Sequence, residues 1–167
     1  MHFYRKNGAV FAFESDGSQD HLITPDMVPM SQDEVRKVTG PTTDDVWAAI
    51  KAERDRRYEA GCLVAGKWWH SDIKSRVKWE RKLSRAAAMA DDEPYAIGGR
   101  VEAWKTMDGT FVDLTAGLIR RVADAFEIHD AQIFAAAEAH RAAMEASHDP
   151  AHYDYRTGWP LVYVETS

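Results

Sequence analysis

The chain has 167 residues, of which 45% are hydrophobic and 29% are charged, and it carries a net charge of −6 at pH 7. This composition is typical of a soluble globular protein that buries a core without metals, and the single cysteine, Cys62, excludes an internal disulfide. The negative charge argues against a nucleic-acid-binding surface, and no apolar run approaches the roughly 20 residues of a membrane-spanning helix, so we expect neither nucleic acid binding nor membrane insertion.

The N-terminal residues are predicted to form a β-hairpin. Residues 2–6 and 9–14 are rich in aromatic and aliphatic side chains, and the dipeptide Asn7-Gly8 between them suits a two-residue type I′ turn. Because an isolated hairpin is only marginally stable in water, we expect this one to pack on the helices or on another chain.

A short helix is predicted after the hairpin. Residues 21–24 have the composition of a short third strand, and Ser31 and Glu34 then form a capping-box pattern that predicts a helix over 32–38. The glycine-proline pair that follows predicts the end of an N-terminal module at residue 40.

Three longer helices are predicted, at 44–60, 72–90 and 115–146. Thr43 and Thr115 are suitable caps for the first and the third. In the second helix, four apolar residues lie roughly on one side and predict its buried face: Ile73, Val77, Leu83 and Ala87.

The third of these helices is expected to supply the common core. Its apolar and small residues are spaced three or four apart, with histidines at two intervening positions, and a break near residues 128–130 remains open. The predicted buried face consists of Ile119, Val122, Phe126, His129, Ile133, Ala136, His140 and Ala143.

Two further hairpins are predicted to flank these helices. The first covers residues 62–70 and turns at Ala-Gly-Lys, and the second covers residues 103–113 and turns at Asp-Gly. In the first hairpin Trp68 and Trp69 are adjacent and point to opposite faces. One of them can join the core while the other covers a helix or meets a partner.

These elements predict an α+β fold that is mainly helical, with three principal helices and small antiparallel hairpins. We divide the chain into an N-terminal hairpin module, residues 1–40, a helical body, residues 41–147, and an aromatic C-terminal extension, residues 148–167. The extension is expected either to dock on another subunit or to pack as a strand on its own body.

Three stretches of the sequence resemble a known group of proteins. They are an arginine-rich helix at 43–60, the hairpin VAGKWWHSD at 64–72 and the motif WKTMDGTFVDLTAGLI at 104–119. This succession resembles a domain of unknown function that recurs in genes next to phage tail-fibre genes. Residues 2–34 are similar to the opening of phage tail-fibre assembly proteins, and the C-terminal extension matches neither group.

The resemblance implies a non-enzymatic protein of a phage tail. The first expectation is a tail-fibre assembly chaperone that binds the fibre protein in the host cytoplasm. The alternative is a structural component of the virion tail tip, fibre or baseplate that stays in the particle, and a second alternative is a small enzyme with an unrecognised site. The expected partner is a tail-fibre or other tail protein, and homo-oligomerisation remains open.

No residue pattern in the sequence predicts a catalytic, cofactor-binding or metal site. Cys62 lacks the sequence surroundings of a catalytic nucleophile, although His70 at the end of the same hairpin is a candidate base. His148 and His152 are four residues apart, but the proline between them prevents a regular helix from aligning them as metal ligands. We therefore expect no enzyme activity, no cofactor and no metal.

Four aromatic residues are predicted to anchor a protein partner: Trp69, Tyr153, Tyr155 and Trp159. Aromatic side chains supply large contact areas at low entropic cost, which makes them common at the centres of interfaces. Deleting residues 148–167 is therefore expected to weaken partner binding and to leave the helical content nearly intact.

Overall fold

A computed structural model describes residues 1–164. The chain divides into two compact units, Met1–Thr42 and a larger unit that begins at Thr43. The described residues form four α-helices together with short antiparallel strand pairs, so the fold is α+β. None of the helices in residues 1–164 is both long enough and apolar enough to cross a membrane.

The first unit is built on the predicted N-terminal hairpin. Strands β1 (His2–Lys6) and β2 (Ala9–Phe13) pair in the antiparallel direction. Asn7 and Gly8 both have positive φ angles, 49° and 80°, as a type I′ turn requires. The predicted hairpin and its turn are therefore confirmed.

The third strand of this unit does not lie where the sequence predicts it. Strand β3 (Val28–Pro29) pairs with the other side of β1 and gives the order β2-β1-β3, and its proline is tolerated because β3 is an edge strand. The predicted strand at 21–24 is wrong. This stretch overlaps a short 3₁₀ helix, Asp20–Leu22, which is closed by a hydrogen bond from the amide of Ile23 to the carbonyl of Asp20.

Helix α1 (Gln32–Thr39) forms where the sequence predicts it. The Ser31 hydroxyl accepts a hydrogen bond from the amide of Glu34, and the Glu34 carboxylate accepts one from the amide of Ser31, which completes the predicted capping box. Gly40 ends the helix with a φ of 76°, a conformation that glycine adopts without steric cost.

The second unit is organised around its longest helix. Helices α2 (Thr43–Tyr58) and α3 (Ile73–Ala86) both pack against α4 (Ala116–Glu145). Thr115 caps α4 by accepting a hydrogen bond from the amide of Leu118 at 3.2 Å, and the helix is continuous over its 30 residues. The three longer helices therefore lie within a few residues of their predicted positions.

The buried face of α4 follows the prediction except near its C-terminal end. Both histidines are buried in this face, as predicted. Ala137 and Met144 are buried in place of the predicted Ala136 and Ala143, because a helix with 3.6 residues per turn drifts relative to a strict repeat of three and four. The face also contains Ala116, Leu118, Ile119, Val122, Phe126, His129, Ile133 and His140.

The predicted buried face of α3 is wrong except at Leu83, which is half-buried against the core. Ile73 and Val77 are 69% and 42% exposed, whereas the large ring of Trp79 occupies the core and contacts the rings of Trp69 and Phe126 edge-on. A buried lysine interrupts the apolar pattern on this side of the helix, which is why hydrophobic spacing does not reveal it. The observed buried face is Ser75, Trp79, Lys82 and Ala86.

Three two-stranded hairpins complete the second unit. Two of them are the predicted hairpins, and the third, which turns at two glycines with positive φ, is not among the predicted elements. The strands are β4 (Cys62–Val64), β5 (Lys67–Trp69), β6 (Ala96–Ile97), β7 (Arg100–Val101), β8 (Ala103–Lys105) and β9 (Phe111–Asp113).

Two hydrophobic clusters stabilise this unit. The first lies between α3, α4 and the hairpins, and Trp69 and Trp79 are fully buried in it. The second lies between α2 and α4 and contains Val46, Ile50, Ala137 and Met144.

The C-terminal segment, residues 148–164, packs on the second cluster through Tyr153, Tyr155 and Trp159. It contains a 3₁₀ turn, Pro150–His152, and no strand, so the segment covers its own body but not as the predicted strand. The last three residues of the predicted extension lie outside the described residues.

Candidate functional site

An open and mostly apolar groove lies between α4, the β4–β5 hairpin and the C-terminal segment, and we call it the α4 groove. Its volume is about 350 Å³, which is in the lower part of the range of small-ligand sites. One wall comes from α4, one from the hairpin and one from the C-terminal segment. The lining residues are Cys62, Leu63, Trp68, Ala125, Ile128, His129, Gln132, Pro160 and Leu161.

Each wall of the α4 groove carries an exposed aliphatic side chain. Leu63 on the hairpin is 51% exposed, Ile128 on α4 is 59% exposed and Leu161 in the C-terminal segment is 79% exposed. Single exposed apolar residues are common, but three around one apolar groove form a patch of the kind that marks interaction sites. This convergence makes the groove the candidate binding site of the larger unit.

His129 forms part of the groove wall and joins α4 to the C-terminal segment. Its Nε2 lies 3.0 Å from the carbonyl oxygen of Leu161, which only accepts hydrogen bonds, so Nε2 carries the proton and donates it. Nδ1 is buried without a hydrogen-bond partner in the described part of the chain. Such an unsatisfied buried polar atom costs about 1–3 kcal/mol and lies beside the candidate site.

Cys62 lies in the same groove as a protonated thiol. Its Sγ is 3.5 Å from the carbonyl oxygen of Ala125, to which the thiol donates a weak hydrogen bond. Burial raises the pKa of the thiol to about 11, and the nearby Arg76 guanidinium opposes this shift only in part. A raised pKa is the opposite of what activates a cysteine nucleophile, so the position favours packing.

His140 lies closer than His129 to the C-terminal end of α4 and also contacts the C-terminal segment. The Nδ1 of its imidazole forms a hydrogen bond of 3.0 Å with the Tyr153 hydroxyl. The ring also stacks on Trp159, with 4.9 Å between the ring centroids and 35° between the planes. Burial lowers the pKa of His140 because it disfavours the imidazolium form.

Helix α2 holds the other side of the same segment. The Arg57 guanidinium donates to the carbonyl oxygen of Pro160 at 2.9 Å and lies 5.2 Å from the centroid of the Trp159 ring. Further along, the amide of Tyr163 donates to the carbonyl oxygen of Ala60. These contacts fix the position of the segment that forms the third wall of the groove.

The structure places the predicted partner anchors differently from the sequence analysis. Trp69 has no exposed surface, and its Nε1 donates to the carbonyl oxygen of Val64 at 3.0 Å, so the expectation that it faces a partner is wrong. The adjacent tryptophans do alternate, but Trp69 is the core residue and Trp68 is the groove residue. Tyr153, Tyr155 and Trp159 are half-buried against the chain's own second cluster.

The groups considered for catalysis and metal binding are not brought together. Cys62 lines the α4 groove, whereas His70 lines a separate groove beside α3. His152 forms a 3.0 Å contact with Asp149, and both side chains are about two-thirds exposed. In residues 1–164, no group of three or more His, Cys, Asp or Glu side chains is placed to hold a metal ion.

The sequence analysis considered Cys62, Trp68 and His129 separately but did not predict that they line one groove, and it did not identify the exposed aliphatic residues around it. Ile128 carries the clearest signal, because it is a large aliphatic residue on α4 outside the predicted buried face. Leu63 and Leu161 carry no comparable signal. Their convergence depends on the path of the C-terminal segment, which no local pattern predicts.

Comparison with known proteins identifies the family of the larger unit. Residues 42–157 match a domain of unknown function (DUF4376), and since this match covers more than half of the chain, the protein belongs to that family. No curated protein and no solved structure matches the chain. The hairpin and α4 walls of the groove lie within the matched range, and Pro160 and Leu161 lie beyond it.

Proposed function

We propose that this protein is a non-enzymatic binding protein of a phage tail, specifically a chaperone that binds a tail-fibre protein during assembly. The observation that carries the proposal is the α4 groove, where three exposed aliphatic side chains surround an apolar floor. The resemblance of residues 2–34 to tail-fibre assembly proteins supplies the partner.

The exposed side chains of the α4 groove give a partner a reason to bind. Burying the exposed parts of Leu63, Ile128 and Leu161 contributes roughly 1 kcal/mol for each residue, because each loses about half or more of its side-chain hydration. A partner segment with apolar side chains therefore gains most by covering all three at once.

The N-terminal unit offers a second kind of contact. Strand β2 is an edge strand, and within the described residues it pairs only with β1. Its sequence is apolar, and Val10 and Phe11 are 40% and 37% exposed. An edge strand of this kind is suited to pairing with an extended segment of another chain.

These two surfaces suit the proposed role. An incomplete fibre exposes apolar side chains and unpaired strand edges, which promote aggregation until the fibre's own chains cover them. The α4 groove covers the apolar side chains and β2 pairs with a free strand edge. The fibre's own chains then displace the chaperone in the host cytoplasm.

Co-expression with the tail-fibre protein tests the proposal. The full-length chain is expected to copurify with the fibre protein in a defined ratio and to raise the yield of soluble, trimeric fibre. A fibre that reaches the same yield without this protein, and does not copurify with it, would contradict the proposal.

The composition of purified particles distinguishes the chaperone role from the alternative role as a structural component of the virion. A chaperone is expected to be absent from mature particles, whereas a component of the tail tip or baseplate is present in a fixed ratio to other tail proteins. Quantitative mass spectrometry of purified particles measures this ratio directly. If this protein is present in a fixed ratio, it is a structural component of the particle and the chaperone role is contradicted.

A further inference from the structure

We propose that a second groove in the larger unit binds a carboxylate attached to an aromatic or apolar group. This basic groove lies between the end of β5, helix α3 and strand β8, and its volume is about 290 Å³. It is separate from the α4 groove. Its lining consists of His70, Ser75, Lys78, Ala103, Trp104 and Lys105.

The charge of the basic groove is opposite to that of the whole protein. The chain carries a net charge of −6, yet two lysines and a histidine line this groove and no carboxylate does. Among the described residues, the ammonium groups of Lys78 and Lys105 form no ion pair or hydrogen bond. Two lysines without a carboxylate partner on one small groove favour an anion.

Asp72 and Glu102, which directly precede α3 and β8, are engaged by other partners. Asp72 accepts hydrogen bonds from the amide of Ser75 at 3.1 Å and from its hydroxyl at 2.6 Å, which places it in the cap of α3. Glu102 forms an ion pair with the buried Lys82. Neither carboxylate neutralises the lysines of the groove.

Trp104 gives the groove an aromatic wall. The ammonium nitrogen of Lys78 lies 5.9 Å from the centroid of the Trp104 ring. The ring of Trp79 packs against Trp104, with 4.7 Å between the ring centroids. The indole Nε1 of Trp104 is buried and donates to nothing in residues 1–164. An aromatic or apolar group can pack on this indole while an attached carboxylate accepts hydrogen bonds from the lysines.

The dimensions and charge of the basic groove suit a small anion. A groove of about 290 Å³ accommodates a single ring with its carboxylate, and the negative charge of the rest of the protein repels a polyanion. The carboxylate belongs either to a free aromatic acid or to an acidic or terminal residue of a partner polypeptide. Both sources present the same chemistry to Lys78 and Lys105.

Benzoate and benzamide form a matched pair of probes for the full-length chain, because they differ in charge and hardly in shape. The indole N–H resonance of Trp104 in a ¹⁵N-labelled sample reports binding of each. We expect benzoate to bind about tenfold more tightly than benzamide, since it gains two exposed ion pairs. Equal affinities, or no saturable shift with benzoate, would overturn the proposal.

Two double variants test whether the lysines of the groove bind benzoate or whether the overall charge of the protein attracts it. Lys78→Gln with Lys105→Gln is expected to lower the benzoate affinity to that of benzamide. Arg81→Gln with Arg100→Gln removes the same charge from exposed positions outside the groove and is expected to retain the preference. Loss of the preference in both variants would show that net charge alone attracts benzoate, which overturns the groove as the site.

Copurification identifies the source of the carboxylate. If Lys78→Gln with Lys105→Gln also reduces recovery of the tail-fibre protein, the carboxylate belongs to that partner. If recovery is unchanged while benzoate binding is lost, the ligand is a free acid. The benzoate titration needs no fibre protein, so its failure is distinguishable from failure of the proposed chaperone role.

Discussion

Lys82 is a buried lysine whose surroundings compensate its charge. Its side chain is 8% exposed and forms an ion pair with Glu102, which is 31% exposed. The ammonium also lies 5.3 Å from the ring of Tyr95 and 5.7 Å from the ring of Trp104. A charge removed from water needs such partners, because burial without them costs several kcal/mol.

Removing the carboxylate is expected to destabilise the larger unit. Glu102→Gln keeps the size of the side chain but leaves the Lys82 ammonium without a counter-charge, so the free energy of unfolding should fall by about 3 kcal/mol. Urea denaturation of the two proteins measures the difference.

A double variant provides the control for this prediction. Lys82→Met with Glu102→Leu removes both charges and is expected to recover the free energy of unfolding to within about 1 kcal/mol of the unmodified protein. If Glu102→Gln alone is as stable as the unmodified protein, the pair does not fix α3 to the β8 region.

His140 makes stability depend on pH near neutrality. Burial holds its pKa below the ordinary value of 6.5, so the unfolded chain takes up a proton before the folded chain does. The free energy of unfolding therefore falls as the pH drops below 6.5 and is fully present above it. The imidazole is hydrogen-bonded to Tyr153 and packs against the ring of Trp159, so this loss is expected to begin at the C-terminal segment.

Thermal melts from about pH 7.5 to about pH 5.5 test this expectation. The unmodified protein should lose stability over this range, and His140→Gln should lose less because glutamine does not titrate. His152→Gln is the control, since His152 is exposed on the same part of the chain. The same pH dependence in the His140→Gln variant and the unmodified protein would exclude His140 as the source.

The C-terminal segment is a structural element of the larger unit. Trp159 packs between His140 of α4 and Arg57 of α2, and its Nε1 donates to the carbonyl oxygen of Tyr155 at 2.6 Å. The sequence analysis expected deletion of residues 148–167 to spare the helices. With the segment packed on the cluster between α2 and α4, we expect deletion to lower helicity.

A point variant tests the same contact without removing the segment. Trp159→Ala should lower the free energy of unfolding by about 2 kcal/mol, less than for a fully buried tryptophan because Trp159 is only half-buried. Leu161→Ala, at a position that is 79% exposed, should change it by no more than about 0.5 kcal/mol. Equal effects of the two substitutions in urea denaturation would contradict the assigned packing.

Elements with strong local signals could be predicted from the sequence. The Asn7-Gly8 turn and the Ser31 capping box depend on backbone and hydrogen-bond preferences of a few adjacent residues, and both form as predicted. The buried face of α3 could not be predicted, because it includes Lys82, whose burial depends on Glu102 twenty positions away. Local hydrophobic spacing carries no information about such a partner.

At the scale of the whole molecule, the candidate site depends on tertiary placement. The α4 groove exists because the C-terminal segment returns across α4 and brings Leu161 beside Ile128 and the β4–β5 hairpin. Sequence reasoning identified the segment as important from its aromatic residues. It assigned those residues to a partner, whereas their rings pack on the chain's own helices and the aliphatic residues remain exposed.

The central claim is that the α4 groove binds the partner, and a pair of charge substitutions tests it most directly. Ile128→Asp places a carboxylate in the α4 groove, and Ile73→Asp places one on α3, outside the groove. The two positions are similarly exposed, since Ile128 is 59% exposed and Ile73 is 69% exposed. Both variants should retain the helical content of the unmodified protein. Only the substitution in the groove desolvates a charge when a partner binds.

Recovery of the tail-fibre protein with each variant is the decisive measurement. We expect Ile128→Asp to reduce the copurified fibre protein by at least about tenfold, the effect of losing one central interface contact, and Ile73→Asp to leave it unchanged. Full recovery of the fibre protein with the folded Ile128→Asp variant would contradict the account.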